Sequence, residues 1–110
     1  MQRKEILISE LKRINEVVIN EYQPDRLILF GSLVNGNVHE WSDIDLAIVK
    51  NTSKSFIHRT GDLLKLVRPS IGLNVVVYTP QEVSEMEKKD HYFWVDEIIK
   101  KGKVLYERPV

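Results

Sequence analysis

The chain has 110 residues, 43% of them hydrophobic and 29% charged, a length and composition typical of one globular domain spanning residues 1–110. Its 16 basic and 16 acidic residues cancel, so the net charge predicts neither nucleic acid nor an anionic membrane as a partner. The absence of cysteine excludes disulfides and thiolate metal sites, and no stretch approaches the roughly 20 apolar residues of a membrane span. We therefore expect a cytoplasmic protein.

The first half of the chain predicts a helix, a strand, a short helix and a second strand. Apolar residues recur at steps of three and four from about Arg3 to Tyr22, which indicates an amphipathic helix that ends before Pro24. Arg26–Phe30 is a short apolar run stopped by Gly31, typical of a buried strand. The next strand alternates between two faces. One face carries Ile44, Leu46 and Ile48, and the other carries Asp43, Asp45 and Ala47.

The second half predicts a helix, a strand and two further helices. Ser53 can cap a helix that runs to about Arg68, and Ile71–Tyr78 is rich in β-branched residues, as strands are. Thr79–Glu82 has the pattern of a capping box with proline at the first helical position. A last helix covers about Tyr92–Lys101, and Val104–Tyr106 can form a short terminal strand. This order predicts an α/β (α+β) domain, and it leaves open which strand pairs are parallel.

The turn after the first strand is a candidate phosphate site. Glycine lets a phosphate approach the backbone closely, and a helix that begins at the next residue presents unpaired N–H groups. In Gly31-Ser32 the serine hydroxyl would add another donor. Taken alone, the pair is a weak signal, because most Gly-Ser pairs are simply turns.

The two aspartates of the second strand are candidate metal ligands. Asp43 and Asp45 lie two residues apart, so their side chains leave the same face about 6–7 Å apart along the backbone. Two such carboxylates can share a hard cation that also holds phosphate oxygens, as Mg²⁺ usually does. The alternative is a pair of solvated aspartates at the mouth of the sheet.

Together the two motifs resemble those of a known enzyme family. A Gly-Ser turn followed by Asp-Ile-Asp inside an apolar strand resembles the DNA polymerase beta-like nucleotidyltransferase superfamily, and in particular its minimal, antitoxin-like or kanamycin nucleotidyltransferase-like domains. The resemblance extends from the leading helix through the block His39–Leu46 to the sequence Tyr78-Thr79-Pro80. It implies a nucleotidyltransferase fold, with a small mixed β-sheet flanked by helices.

The resemblance also implies a reaction and a set of site residues. Gly31, Ser32 and Ser42 would bind a nucleoside triphosphate, and Asp43 and Asp45 would be both catalytic and ligands of Mg²⁺. A nucleotidyl group, most simply AMP from ATP, would move to a hydroxyl with release of pyrophosphate.

The sequence departs from the family pattern on the third strand. The family carries a third carboxylate there, whereas counting back from Tyr78-Thr79-Pro80 places Asn74 at the matching catalytic position. No Asp or Glu lies between Asp62 and Glu82, and asparagine cannot act as a general base. This departure favours a second hypothesis: a catalytically weakened nucleotide-binding module that acts as the antitoxin-like partner of a helical HEPN-type protein. Self-association as a homo-oligomer stays open.

Three further features are interpreted from residue type alone. Asn35 stands where the family often carries a basic residue, which would weaken triphosphate binding. Trp41 is expected to pack over its loop as a hydrophobic plug, with base stacking as the alternative. The aromatic cluster Asp90–Trp94 is expected to close on the sheet, with any exposed part available to a partner helix.

Overall fold

A computed structural model describes residues 2–109 of the chain as four strands and a set of helical segments. Within these residues, no helix is both long and apolar enough to cross a membrane. The elements in chain order are α1 (Arg3–Val17), a π-helical turn (Val18–Tyr22), β1 (Arg26–Phe30), α2 (Ser32–Asn35), β2 (Ile44–Val49), α3 (Phe56–Val67), β3 (Leu73–Tyr78), α4 (Pro80–Lys88), a C-terminal π-helix (Phe93–Lys100) and β4 (Lys103–Glu107).

The four strands form one mixed sheet in the order β3-β2-β1-β4. The β1 strand is antiparallel to both β2 and β4, whereas β2 and β3 run parallel. The two central strands are almost entirely buried, as their apolar sequences predict. Strands with helices on both sides of a mixed sheet confirm the α+β fold class and the small mixed sheet that the sequence implies.

Each face of the sheet is covered by its own pair of helices. The alternation predicted for β2 is confirmed, because Ile44, Leu46 and Ile48 face one apolar cluster while Ala47 and Val49 face the other. The first cluster takes side chains from α1 and α3, and the second takes them from α4 and the C-terminal π-helix. Since side chains alternate along a strand, Asp43 and Asp45 belong to the second face.

The helix boundaries confirm one predicted cap and correct another. Thr79 begins α4 as predicted: its hydroxyl accepts a hydrogen bond from the backbone N–H of Glu82, whose carboxylate accepts one from Thr79 N–H. The prediction that Ser53 caps α3 is wrong, because the helix begins at Phe56 with Ser55 as its N-cap. The chain before Ser55 is held outside the helix, where the Lys54 carbonyl accepts a hydrogen bond from Arg59 Nε at 2.7 Å.

The chain ends agree with the sequence in outline. The predicted first helix is continuous to Tyr22, but its last turn is π-helical and ends at Gln23 in the left-handed conformation. The terminal strand expected at Val104–Tyr106 is confirmed as β4 and pairs with β1 through an irregular register. This strand gives β1 a second neighbour and leaves β3 and β4 as the two edges of the sheet.

Candidate active site

The Gly31 turn lies directly against the carboxylate of Asp45. Gly31 has φ +79° and ψ −155°, a backbone conformation that other residues rarely adopt. A Cβ atom added at this position would overlap the Asp45 side chain. Glycine is therefore required here both for its backbone conformation and for the space that it leaves, and the predicted phosphate turn meets the predicted carboxylate pair.

Ser32 is the first residue of α2, and Gly31 is its N-cap. A glycine N-cap has no side chain to accept hydrogen bonds from the first N–H groups of the helix, and none accepts them here. The backbone carbonyl of Gly31 accepts hydrogen bonds from Val34 and Asn35 at 3.1 and 3.0 Å, which closes the turn. The helix ends at Asn35 and is capped by Gly36 in the left-handed conformation, so α2 is a single helical turn next to the carboxylates.

Asp45 lies on β2, the strand between β1 and β3 in the sheet. In the sheet register it pairs with Phe30 of β1 on one side and with Asn74 of β3 on the other. The Asn74 amide Nδ2 donates a hydrogen bond to Asp45 Oδ1 at 3.0 Å. Counting back from Tyr78-Thr79-Pro80 therefore identified the residue that stands beside the aspartate pair, and that residue is an amide.

The electrostatics of Asp45 indicate a site that is short of positive charge. Burial raises the pKa of the Asp45 carboxyl above its ordinary value, the hydrogen bond from Asn74 opposes that rise, and the negative charge of Asp43 adds to it. No salt bridge to Asp45 forms within residues 2–109. A cation bound between the two carboxylates would offset both the repulsion between them and the cost of burying the charge of Asp45.

Asp43 contacts two residues that the sequence motifs did not identify. Arg3, the first residue of α1, places Nη2 at 3.8 Å from Asp43 Oδ1. Gly72 lies on the other side, where an added Cβ would overlap the Asp43 carboxylate. No local signal pointed to Arg3, since 39 residues lie between it and Asp43. Gly72 could have been found from the parallel register, because it precedes Asn74 by two residues as Asp43 precedes Asp45.

Ser42 is buried, with 4% of its surface exposed, and its polar groups are used within the loop. Its hydroxyl accepts a hydrogen bond from the backbone N–H of His39 at 2.8 Å, and its own N–H donates to the His39 carbonyl at 3.0 Å. The Ser42 carbonyl accepts from Arg3 Nε at 2.9 Å. These contacts position the loop that precedes Asp43, and direct contact between Ser42 and a nucleotide stays a prediction.

The prediction that Trp41 plugs the loop is wrong. Its side chain is 79% exposed, while its backbone N–H donates to His39 Nδ1 at 3.2 Å. The loop is closed by the hydrogen bonds between His39 and Ser42, so it does not need an apolar plug. The exposed indole leaves the alternative of stacking on a substrate open.

A groove of about 470 Å³ runs beside Asp45 and Asn74 along the edge of the sheet formed by β3. Its wall includes Phe30 and Phe93, whose rings meet edge to face with centroids 5.6 Å apart. The aromatic cluster thus closes partly on the sheet as expected: Trp94 is fully buried, whereas Tyr92 is 63% exposed. The groove is therefore lined both by aromatic side chains and by the polar side chains of Asp45 and Asn74.

The residues present are suited to one divalent cation that takes some of its ligands from the protein and the others from a bound substrate or from water. The donors are carboxylate oxygens, which Mg²⁺ prefers, and the two glycines keep other side chains off them. Residues 2–109 contain no group of three or more His, Cys, Asp or Glu side chains placed to hold a metal ion. A cation bound through Asp43 and Asp45 would therefore need phosphate or water oxygens to complete its coordination.

Known proteins provide an independent comparison. The family described as "Polymerase beta, Nucleotidyltransferase" matches residues 12–109. The fold is similar to the crystal structure of a protein from Sulfolobus solfataricus named as a "putative nucleotidyltransferase", with a TM-score of 0.63 and 19% sequence identity over 96% of this chain and 84% of that one. No curated protein sequence matches the chain. Because the family match spans most of its length, the chain belongs to the polymerase beta nucleotidyltransferase family.

Proposed function

We propose that this protein binds a nucleoside triphosphate, with ATP as the first candidate, together with Mg²⁺ and transfers its nucleotidyl group to a hydroxyl. The observation that carries the proposal is the close approach of the Gly31 turn to Asp45, which leaves room for no side chain between them. A phosphate-binding turn and a pair of carboxylates must be adjacent if one cation is to bridge them. Family membership supports transferase chemistry and the use of a divalent metal ion in general.

In this proposal Asp43 and Asp45 hold the cation, and the Gly31-Ser32 turn orients the triphosphate. Bound Mg²⁺ would neutralise phosphate charge and make the α-phosphorus more electrophilic. The acceptor oxygen forms a bond to that phosphorus while the bond to the bridging oxygen of the β-phosphate breaks, and pyrophosphate leaves. Asn74 can orient the acceptor hydroxyl through its amide but cannot take its proton, which must pass to another base or to water.

We assign the groove along β3 to the base of the nucleotide or to the carbon skeleton of the acceptor. It is lined by Asp45 and Asn74 and has the rings of Phe30 and Phe93 in its wall. An apolar aromatic wall suits a base or the carbon skeleton of an acceptor, whereas a triphosphate requires donors and cations. The acceptor itself can be a protein or a small molecule.

A second candidate function rests on Asn74. The amide beside Asp45 removes both a charge and a proton acceptor from the place where the family has a carboxylate. A protein weakened in this way could retain nucleotide binding and act as the antitoxin-like partner of a helical HEPN-type protein. Exposed Tyr92, at the start of the C-terminal π-helix, offers an aromatic side chain to such a partner.

The first experiment measures binding without requiring turnover. Titration calorimetry with α,β-methylene ATP, with and without Mg²⁺, would compare the wild type with Asp45→Ala. Asp62→Ala is the matched control, because it removes the same charge from an exposed ion pair with Lys54. We expect Mg²⁺-dependent binding by the wild type and the control, and a loss of at least about 100-fold for Asp45→Ala. Equal binding by all three proteins would refute the site.

The second experiment separates the two candidate functions through Asn74→Asp. Transfer from ATP labelled at the α-phosphorus to components of a cell extract would be compared between the wild type and the variant. If the wild type is a weakened enzyme, the restored carboxylate should raise the rate by about 10²–10⁴-fold. A wild type that already turns over as fast as the variant would support the enzyme and remove the support for the antitoxin-like alternative.

A further inference from the structure

Arg3 is the basic side chain that the fold brings to the carboxylate pair. It lies at the start of α1, and its guanidinium reaches across to the loop before β2. There Nε donates to the Ser42 carbonyl at 2.9 Å, and Nη2 lies 3.8 Å from Asp43 Oδ1. About a quarter of the side chain is exposed. The arginine is therefore held by a hydrogen bond at Nε, while its side chain stays partly exposed.

The contact with Asp43 does not use the hydrogen-bonding capacity of the guanidinium. A separation of 3.8 Å is longer than a hydrogen bond, so the ion pair is electrostatic only. A guanidinium has five N–H donors, and the contacts within residues 2–109 use the one on Nε. Four donors on the terminal nitrogens of Arg3 remain available to a ligand that approaches Asp43.

A triphosphate at this site would need such donors. The turn that is proposed to hold it, Gly31–Asn35, contains no lysine or arginine. One divalent cation does not neutralise a triphosphate beside two aspartates. Arginine matches phosphate geometry with paired N–H groups, and it carries its charge at every physiological pH.

We propose that Arg3 binds the β- and γ-phosphates of the nucleoside triphosphate and so replaces the cation that the turn lacks. The inference rests on the function proposed above. A divalent cation held by Asp43 would offset the charge of that carboxylate. The terminal nitrogens of Arg3 would then bind phosphate oxygens in place of the aspartate, while Nε keeps its hydrogen bond to the Ser42 carbonyl. In this position Arg3 also stabilises the charge that develops on the departing pyrophosphate.

The proposal predicts a loss that depends on the number of phosphates. Arg3→Gln removes the charge but keeps an amide that can donate to the Ser42 carbonyl, so the loop is retained. Lys4→Gln is the control, because it removes the same charge from the neighbouring exposed residue, which forms no salt bridge within residues 2–109. Calorimetry would give the affinity for Mg²⁺ with α,β-methylene ATP, and displacement of a fluorescent triphosphate would give the affinity for AMP.

We expect Arg3→Gln to weaken triphosphate binding at least tenfold while AMP binding changes less than threefold, and Lys4→Gln to change neither by more than threefold. An equal loss for both nucleotides would show that Arg3 only positions the loop, and would overturn the proposal. Unchanged triphosphate binding by Arg3→Gln, with Mg²⁺-dependent binding by the wild type, would overturn it while leaving the proposed function intact. A wild type without Mg²⁺-dependent binding would overturn both.

Discussion

Glu10 and Asp45 are both carboxylates that the fold withdraws from solvent, yet their surroundings differ in almost every respect. Glu10, 8% exposed, accepts two hydrogen bonds from Arg13 at 2.8 and 2.9 Å and two more from the N–H and hydroxyl of Ser70. Asp45 accepts one, from Asn74, and faces the charge of Asp43.

The two pKa values move in opposite directions as a result. The hydrogen bonds from Arg13 outweigh burial and, with those from Ser70, hold the pKa of Glu10 at about 2. Burial and Asp43 raise the pKa of Asp45. Ionised Glu10 therefore stabilises the fold by joining α1 to the segment before β3, whereas ionised Asp45 destabilises it. A carboxylate kept at a cost to stability is the one that is expected to serve a ligand.

The largest expected effect is the loss of binding in Asp45→Asn. The amide cannot hold a divalent cation as a carboxylate does, so Mg²⁺-dependent nucleotide affinity should fall by at least about 100-fold. Without ligand, the free energy of unfolding should stay equal or rise, because repulsion from Asp43 is removed. Calorimetry and urea unfolding would measure the two effects. A clear drop in stability would mean that Asp45 resembles Glu10, and the contrast would fail.

How much of the candidate site could be predicted from the sequence depended on how far apart its residues lie along the chain. The Gly31-Ser32 turn and the Asp43-x-Asp45 pair are local patterns, and Asn74 could be counted back from the end of its strand. Arg3 could not be found in this way, because its contact with Asp43 depends on where the fold places the start of α1. Gly72 follows from the parallel register of β2 and β3, but only once that register is known. The parallel pairing of β2 and β3 was likewise unreadable from either strand alone.

Two local predictions failed because polar contacts outweighed simple residue preferences. Hydrophobicity predicted a buried Trp41, but hydrogen bonds between His39 and Ser42 close that loop and leave the indole in solvent. Ser53 is as good an N-cap residue as Ser55 by type, but α3 begins after Ser55, where Arg59 Nε donates a hydrogen bond to the Lys54 carbonyl just outside the helix. The exposure of Trp41 and the start of α3 are both accompanied by hydrogen bonds between particular residues, which hydrophobicity and capping preferences do not reveal.

The complementary variant, Glu10→Gln, should reduce stability without affecting the site. It leaves Arg13 without a charged partner and weakens the hydrogen bonds to Ser70, so we expect a loss of about 2 kcal/mol in the free energy of unfolding. Affinity for Mg²⁺ with the ATP analogue should stay within twofold. Urea unfolding and calorimetry on the same preparation would test both, and a parallel loss of affinity would show that the two regions are coupled.

The pH dependence of the Glu10→Gln effect provides a sharper test. Because the folded-state pKa of Glu10, about 2, lies below its ordinary value of 4.5, its stabilisation is complete above about pH 4.5. It is lost as pH falls towards 2. The stability difference between the wild type and Glu10→Gln should therefore be largest near neutral pH and close to zero near pH 2. A difference independent of pH would assign the effect to packing rather than to the charge.

Asp45→Asn should show the opposite trend in the same titration. A raised folded-state pKa means that ionisation of Asp45 costs stability as pH increases from its ordinary value of 3.8 through the raised one. The variant should thus gain on the wild type as pH rises through this window. Urea unfolding in a series of acidic buffers would measure how the stability difference between Asp45→Asn and the wild type changes with pH. If Asp45→Asn and Glu10→Gln responded to pH in the same direction, the contrast between the two carboxylates would be contradicted.

A pair of glycine variants tests the closeness of the turn to Asp45. Gly31 and Gly36 have nearly equal φ values, +79° and +81°, but their ψ values are −155° and 8°. Alanine should cost about 1 kcal/mol in backbone strain at Gly36, which is in the left-handed helical region, and more at Gly31, whose conformation is almost confined to glycine. A Cβ overlaps Asp45 at Gly31, whereas at Gly36 it meets nothing within 4 Å. Only Gly31→Ala should also reduce nucleotide affinity, by at least about tenfold. Equal affinities would show that the turn and the aspartate can separate without loss.

The smallest expected effect is a gain in stability at Gly61, a glycine inside α3 with open space where a Cβ would lie. Gly61→Ala should raise the free energy of unfolding by about 0.5–1 kcal/mol, because alanine restricts the unfolded chain and favours helix. It touches neither Glu10 nor Asp45, so nucleotide affinity should not change. If affinity fell as stability rose, the site would depend on flexibility of the scaffold, and the separation between a stabilising and a binding carboxylate would no longer hold. Urea unfolding and calorimetry on one variant decide between these outcomes.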